Sequence, residues 1–443
     1  MNLFKLSYRN IIGRPLSTIL SVILLATGLS TAIILELTDH QLTKNIENTG
    51  KDIKLVIGSK GSRIDLILSS VFQVGNPTGN INYGFYQLLK KNRIIKEMIP
   101  ISMGDSYKRV RIVGTNQDYI QLYNGKIESG QFFSKPLEAN IGSNVAKKLN
   151  LQVGSEFIGG HGMEAEVLHH HDDFKYKVVG VLKKNGSVLD NIILTPIETV
   201  WIMHAGHNED SEYRIGHSKK TKSKEEGHLH HDHQGSHNHH DHEVHNHKEL
   251  SVGEILSTIK PKDKEVTAIL FPKLEGSAHV GVLNNANNQP GMMAVDPAPE
   301  IALLKSKLSP FISIVVGIAY LITIIAMFSV FIGLLNSLSA RKYEIALMRV
   351  MGASRFKVLA SILFEGLFLS ILGFILSLLL SHIGMEIVAS WMEYEYQYEF
   401  SGLIFLTEEF NYLWIALSIG LISALYPAFR AYKTDIAKTL SKG

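Results

Sequence analysis

Four stretches of this chain are apolar for long enough to cross a membrane. They cover residues 16–37, 311–335, 358–381 and 411–428. About 20 residues of helix span a hydrocarbon core. Between the first and second runs lie residues 38–309, a length that suits one sizeable folded domain or two smaller ones. The chain should therefore be an α-helical membrane protein with four transmembrane helices and a large extracytoplasmic domain between the first and second. Charge orients it. Lys5, Arg9 and Arg14 precede the first run, and Arg341, Lys342, Arg349, Arg355 and Lys357 crowd the link between the second and third. The link between the third and fourth carries Glu386, Glu393, Glu395, Glu399, Glu408 and Glu409 and no Lys or Arg, while Arg430 opens a basic tail. By the positive-inside rule both termini and the 336–357 link are cytoplasmic.

Residues 1–15 read as a cytoplasmic amphipathic helix in the headgroup plane, with Phe4, Tyr8, Ile11 and Ile12 on one face. Pro15 then suits the first turn of the next helix. Ala26-Thr27-Gly28 resembles a signal-cleavage site, but the apolar run continues past it, which favours an uncleaved anchor. In the outer segment, 52–57, 109–113, 174–182, 191–194 and 266–271 read as strands. Residues 85–96, 141–149 (capped by Ser143) and 196–204 read as helices, and 284–299 as loop. That mixture predicts an α+β domain. Net charge is only +3 over 443 residues, which gives no argument for nucleic acid, and with no cysteine there are no disulfides, thiolate sites or Cys nucleophiles.

Residues 204–247 are dominated by His and small polar or charged groups. The candidate metal ligands are His228, His230, His231, His233, His237, His239, His240, His242, His245 and His247, with a smaller group at His169, His170 and His171. Neutral imidazole suits Zn²⁺ and other divalent transition ions. A solvated spacer that charges in weak acid has the same composition.

The 336–357 link is polar yet patterned. Ile345 and Met348 recur at helical spacing, Gly352 can end a helix in a left-handed conformation, and Ser354 can cap the next. A short helix joined tightly to a span can carry force; an ordinary basic loop that only sets orientation is the alternative. Glu365 lies about two turns beyond Lys357, where pairing with a basic neighbour is expected. His382 reads as interfacial. Several buried carboxylates in relay, a Gly-x-x-x-x-Gly-Lys-Ser/Thr phosphate loop, a nucleophile elbow and a His-Glu-x-x-His motif are all missing from the sequence.

The run Arg341-Lys-Tyr-Glu-Ile-Ala-Leu-Met-Arg-Val-Met-Gly-Ala-Ser-Arg355 resembles the cytoplasmic segment of MacB/FtsX-type ABC transporter permeases. Glu365-Gly366 matches their following span, and Tyr426-Pro427-Ala428-Phe429-Arg430-Ala431 with Asp435 and Leu440 resembles their closing pattern, with Ile436 where Pro is usual. Gly114-Thr115, Gly130-Gln-Phe-Phe133, Ile141-Gly142, Leu151-Gln-Val-Gly154 and Val178-Val-Gly-Val181 are similar to the MacB-type periplasmic core. The resemblance implies a MacB-like periplasmic domain over 38–309 and an FtsX-like permease domain over 310–443, in a bacterial inner membrane. It also implies a homodimer or paired permease, with ATP bound by a separate cytoplasmic ATPase and no enzymatic activity in this chain. Residues 341–351 would be the coupling helix, with Arg341, Glu344, Arg349 and Gly352 at the ATPase contact. Family members extrude compounds with periplasmic partners, release lipoproteins, or relay force to cell-wall hydrolases. Metal handling, lipoprotein release or small-molecule or peptide export, and control of a wall hydrolase are thus the open functions.

Overall fold

The computed structural model describes residues 15–50, 52–162, 174–205, 252–396 and 400–433. The helix expected over 1–15, apart from Pro15, lies outside these residues. So do His169–His171, the ten candidate ligands from His228 to His247, and the tail with Asp435, Ile436 and Leu440. The chain forms two units, Met1–Glu47 with Ile301–Gly443, and Asn48–Glu300.

Helix α1 (Pro15–Gly50) opens the described structure, with Pro15 in its first turn. It runs well past the apolar stretch, because the polar residues 39–49 continue the same helix.

The α+β unit begins with β1 (Leu55–Ser59), α2 (Arg63–Ser70), β2 (Ile81–Asn82) and α3 (Tyr83–Lys90). It continues through β3 (Ile99–Tyr107), β4 (Val110–Thr115), α4 (Gln117–Leu122), β5 (Ile127–Gly130) and β6 (Glu138–Ile141). Next come α5 (Ser143–Leu149), β7 (Glu156–Phe157), β8 (Gly160–His161), β9 (Tyr176–Leu182), β10 (Ile193–Pro196) and α6 (Ile197–Ala205). Then follow α7 (Val252–Thr258), β11 (Glu265–Val266), β12 (Ala268–Phe271), α8 (Gly276–Asn288) and β13 (Met292–Val295).

Most strands join one mixed sheet in the order β13-β1-β12-β3-β4-β10-β6-β9-β5, with β7 on β9 and β8 on β3. β10 runs parallel to β4 and β6 parallel to β9; the other pairs are antiparallel. Two apolar cores cover it. One gathers Leu55, Ile57, Tyr86, Trp201 and Phe271, where Tyr83 stacks on Tyr86 with ring centroids 5.0 Å apart. The other gathers Ile112, Ile141, Phe157, Tyr176 and Ile193, where Phe157 stacks on Tyr176, also at 5.0 Å.

Two expectations change here. Residues 284–299 are not a loop: they hold the end of α8, strand β13 and the start of α9 (Pro297–Ala340). Helix α8 contains two Gly and four Asn, poor helix formers, and is held by burial of Val282 and Ala286. Ser143 does not cap α5. Gly142 holds the cap position, and the Ser143 hydroxyl lies 3.4 Å from Asp190 instead.

The other unit comprises α1, α9, α10 (Lys342–Val350), α11 (Arg355–Tyr396) and α12 (Glu409–Tyr432). Helices α1, α9, α11 and α12 are each long and apolar enough to cross a membrane. At 44 residues α9 is roughly 66 Å long, about twice the hydrocarbon thickness. Small residues let the helices approach. A Cβ on Gly28 would fall 3.0 Å from the Thr323 backbone nitrogen, and Ser21 and Ser329 hydroxyls bond at 2.9 Å between α1 and α9. The Ser423 hydroxyl of α12 donates to the Met327 carbonyl of α9 at 3.0 Å. In lipid such close polar contacts carry much of the packing.

Beyond α11 the segment before α12 is tied down. Gln41 Nε2 donates to the Ser401 carbonyl at 3.0 Å, and the Ser401 amide donates back to Gln41 Oε1 at 2.8 Å. The Gly402 amide donates to Glu386 at 2.8 Å. His382 bridges the Gly402 carbonyl and Glu409, the latter at 3.1 Å. The histidine is thus a structural link between α11 and α12.

Candidate coupling site

Helix α9 ends at Ala340, and Arg341 takes the N-cap position of α10. That helix buries Ile345 and Ala346, packing Ile345 on Leu338, Val358, Ile362 and Ala428. Its far end is closed by a Schellman turn. The Ala353 amide donates to the Met348 carbonyl at 3.0 Å and the Gly352 amide to the Arg349 carbonyl at 3.1 Å. Gly352 sits at φ +98°, a conformation that a side chain resists. Two residues on, Ser354 Oγ accepts from the Lys357 amide at 3.3 Å and starts α11. The left-handed glycine and the serine cap are both where the sequence suggested.

The buried side of the joint is polar. Glu365 of α11 is 6% exposed. Its Oε1 accepts from the Ser337 hydroxyl of α9 at 3.2 Å. Its Oε2 lies 3.8 Å from Arg341 Nη1. The Arg341 Nε also reaches Glu344 at 3.2 Å. Arg341 therefore ties the first turn of α10 to a carboxylate held between α9 and α11. A cavity of about 20 Å³, room for about one water, lies among Ser337, Arg341, Met348, Ser361 and Glu365. The basic partner expected for Glu365 is Arg341, one helix back, rather than the nearer Lys357.

Behind this joint α11 and α12 touch backbone to backbone. A Cβ on Gly366 would fall 2.6 Å from the Gly420 carbonyl oxygen, and one on Gly420 equally close to that of Gly366. At the open end, Phe356 meets Tyr432 edge-on at 5.6 Å, and the Arg355 guanidinium lies over the same ring at 6.0 Å.

The outward side of α10 is apolar, which charge-based reading missed. Tyr343, Leu347 and Val350 are spaced one turn apart and are each at least 44% exposed, with Met351 and Phe356 exposed beside them. Ile345 and Met348 point into the spans, so the helix carries two apolar stripes. The spacing i, i+4, i+7 of Tyr343, Leu347 and Val350 was there to be read. Glu344 is exposed and paired with Arg341; Arg349 is half-buried in the last turn of α10. The candidate metal ligands His169–His171 and His228–His247 fall outside the described residues. Among the described residues, no three His, Asp or Glu side chains converge to hold a metal ion.

Two family comparisons bear on this arrangement. The MacB-like periplasmic core domain matches residues 18–219, and the FtsX-like permease C-terminal domain matches residues 316–436. The second match includes α10, the Gly352 turn and Glu365. Curated proteins give no significant match. The family implies a cytoplasmic ABC ATPase as partner. With one α+β unit inserted between the first and second of four membrane helices, and with both family matches in that order, the chain is a MacB/FtsX-type ABC transporter permease.

Proposed function

We propose that this chain is the membrane subunit of a transporter powered by a separate cytoplasmic ATPase. It works as a dimer, a homodimer or a paired permease, in the bacterial inner membrane, with both termini in the cytoplasm. Helix α10 docks on the ATPase through Tyr343, Leu347 and Val350, with Glu344 and Arg349 giving polar contacts at the rim. Closure of the ATPase on ATP displaces α10. The Arg341–Glu365 link and the short Gly352 turn pass that displacement to α9 and α11 as a rigid-body motion, which reshapes the outer domain. The carrying observation is the joint itself: an exposed apolar stripe on a helix whose other face is locked to two spans by packing and a buried ion pair. Co-purification with the cognate ATPase tests it. Leu347→Glu should abolish capture and stimulated ATP hydrolysis, and charge reversal at Glu344 or Arg349 should weaken both. Unchanged capture in all three variants refutes the docking face.

The His-rich composition of 204–247 favours a second, finer reading, in which the outer domain handles a divalent metal such as zinc. Lipoprotein release, small-molecule or peptide export, and regulation of a wall hydrolase through a periplasmic partner are the competing outputs. Tight Zn²⁺ binding by the full chain that is lost when 206–250 is replaced by a short linker supports the metal reading. Binding that is absent from the start favours export.

A further inference from the structure

The strap before α12 turns its backbone inward and its apolar side chains outward. Leu403 is 80% exposed and Phe405 71%, and Ile404 between them is exposed as well. Three consecutive exposed apolar residues in a loop call for a partner. The main-chain groups point the other way. The Ser401 amide donates to Gln41 of α1 and the Gly402 amide to Glu386 of α11, each at 2.8 Å. The Leu406 amide donates to Glu409 Oε1 at 3.0 Å. The Ser401 carbonyl accepts from Gln41 Nε2, and the Gly402 carbonyl meets His382 Nδ1. A Cβ on Gly402 would collide with the His382 carbonyl, so the strap lies backbone to backbone on α11. Side chains of three helices thus serve main-chain groups that water satisfies in an ordinary surface loop. At membrane depth that provision is required, because irregular backbone persists there only where protein satisfies its polar groups.

Three helices give the depth of the strap. Leu406 packs with Ile33 and Leu37, at the end of the apolar run of α1. The Phe405 ring lies 4.1 Å from that of His382, the residue that follows the apolar run of α11. Glu409, which the strap leads into, opens α12 just before its own apolar run. From Arg355 to His382 is about 40 Å along α11. That matches the thickness of a bilayer with its headgroups. The strap therefore lies at the membrane border remote from α10. The first turns of α12 continue its apolar surface: Phe410 and Trp414, one turn apart, are 67% and 69% exposed. Aromatic rings of this kind gather where headgroups meet acyl chains. Residues 382–411 contain no Lys or Arg, so attraction to anionic lipid is not what holds this surface.

We propose that residues 401–408 form a lipid-docking strap, in which Leu403, Ile404 and Phe405 enter the boundary between headgroups and acyl chains on the membrane face remote from α10. Gln41, His382, Glu386 and Glu409 hold the backbone that presents them. The partner is the phospholipid surface, bound by apolar insertion rather than by charge. The strap sets the depth of the far ends of α11 and α12 and gives displacement at α10 a fixed point to work against. It is independent of the ATPase-docking face and of the metal reading, so the failure of either leaves it standing.

The test is spin-label accessibility in the full chain, reconstituted in phosphatidylcholine nanodiscs. The chain has no cysteine, so one introduced thiol takes all the label. Leu403→Cys and Phe405→Cys are compared with Lys91→Cys, an exposed position of the α+β unit. Collisions are measured with oxygen, which concentrates in lipid, and with a water-soluble nickel chelate. At both strap positions the ratio of oxygen to nickel collisions should be several-fold higher than at Lys91. Both positions are exposed, so the label itself disturbs no packing. A second substitution, Leu403→Glu, should lower the ratio at a label on Phe405→Cys, as the strap lifts toward water. A ratio at Leu403 and Phe405 equal to that at Lys91 overturns the proposal, because the strap then faces water. Labels reached by neither reagent overturn it as well, because protein, such as a second copy of the chain, then covers the strap.

Discussion

Removing the charge of Glu365 should uncouple the ATPase without releasing it. The carboxylate is buried, bonded to Ser337 of α9 and 3.8 Å from Arg341 at the head of α10. At an effective dielectric of about 20, two unit charges at that distance attract by about 4 kcal/mol gross. Desolvation of the buried acid cancels much of it, so the net Arg341–Glu365 coupling should be about 1–3 kcal/mol. Glu365→Gln keeps a group that can bond Ser337 and removes the attraction. Arg341→Met removes the other partner and keeps the stem. A double-mutant cycle on thermal unfolding of the detergent-solubilised chain isolates the coupling, with each kcal/mol worth about 2–4 °C for a body of this size. The functional assay runs in parallel. Glu365→Gln should still co-purify with the ATPase, because the outward stripe of α10 is intact, but ATP hydrolysis should no longer respond to the permease. Additivity of the two substitutions within about 0.5 kcal/mol, or an unaltered ATPase response, refutes the role assigned to this pair.

Gly352→Ala places a Cβ at φ +98° and should cost about 1–2 kcal/mol, read as a lower melting temperature together with weaker ATPase stimulation. Gly366→Val forces α11 away from the Gly420 carbonyl and should destabilise the membrane unit by about 1–3 kcal/mol in the same melting assay. In the α+β unit, burial alone would raise the Glu138 pKa, but hydrogen bonds from Ser134, at 2.7 Å, and Lys135 outweigh it and hold the group below its ordinary 4.5. A carboxylate with a lowered folded pKa stabilises above the unfolded value and loses that contribution as pH falls through the folded one. Carbon-detected NMR titration should therefore find Glu138 more than half ionised at pH 4.5, and Glu138→Gln should flatten the acid limb of the stability curve.

How much could be read from the sequence follows from which forces act locally. The four spans were legible because a run of apolar side chains has few other uses, and the turn after α10 because Gly352 and Ser354 are strong local signals. The start of α9 was not: residues 297–310 belong to it, since a helix already nucleated in the spans extends through polar residues at little cost. Helix α8 and β13 escaped for the opposite reason: their residues are weak formers and tertiary packing holds them. At the coupling site the burial of Glu365 was foreseeable, but its partner was not, because Arg341 lies 24 positions away and reaches it only through the α9–α10–α11 corner. The outward stripe on α10 was hidden by its charges: Lys342, Glu344 and Arg349 drew the eye to polar contacts. The pairing of β8 with the bulge of β3 depends on a register that no local pattern encodes.

Photo-crosslinking along α10 tests the central claim most directly. A photoreactive amino acid is placed singly at Tyr343, Leu347, Ile345 or Met348 in the chain co-expressed with its ATPase. The docking face described here predicts strong crosslinks to the ATPase from Tyr343 and Leu347, and none from Ile345, which is 5% exposed and packed on the spans. Crosslinks from Ile345 and Met348 instead, or from no position on the helix, would contradict it.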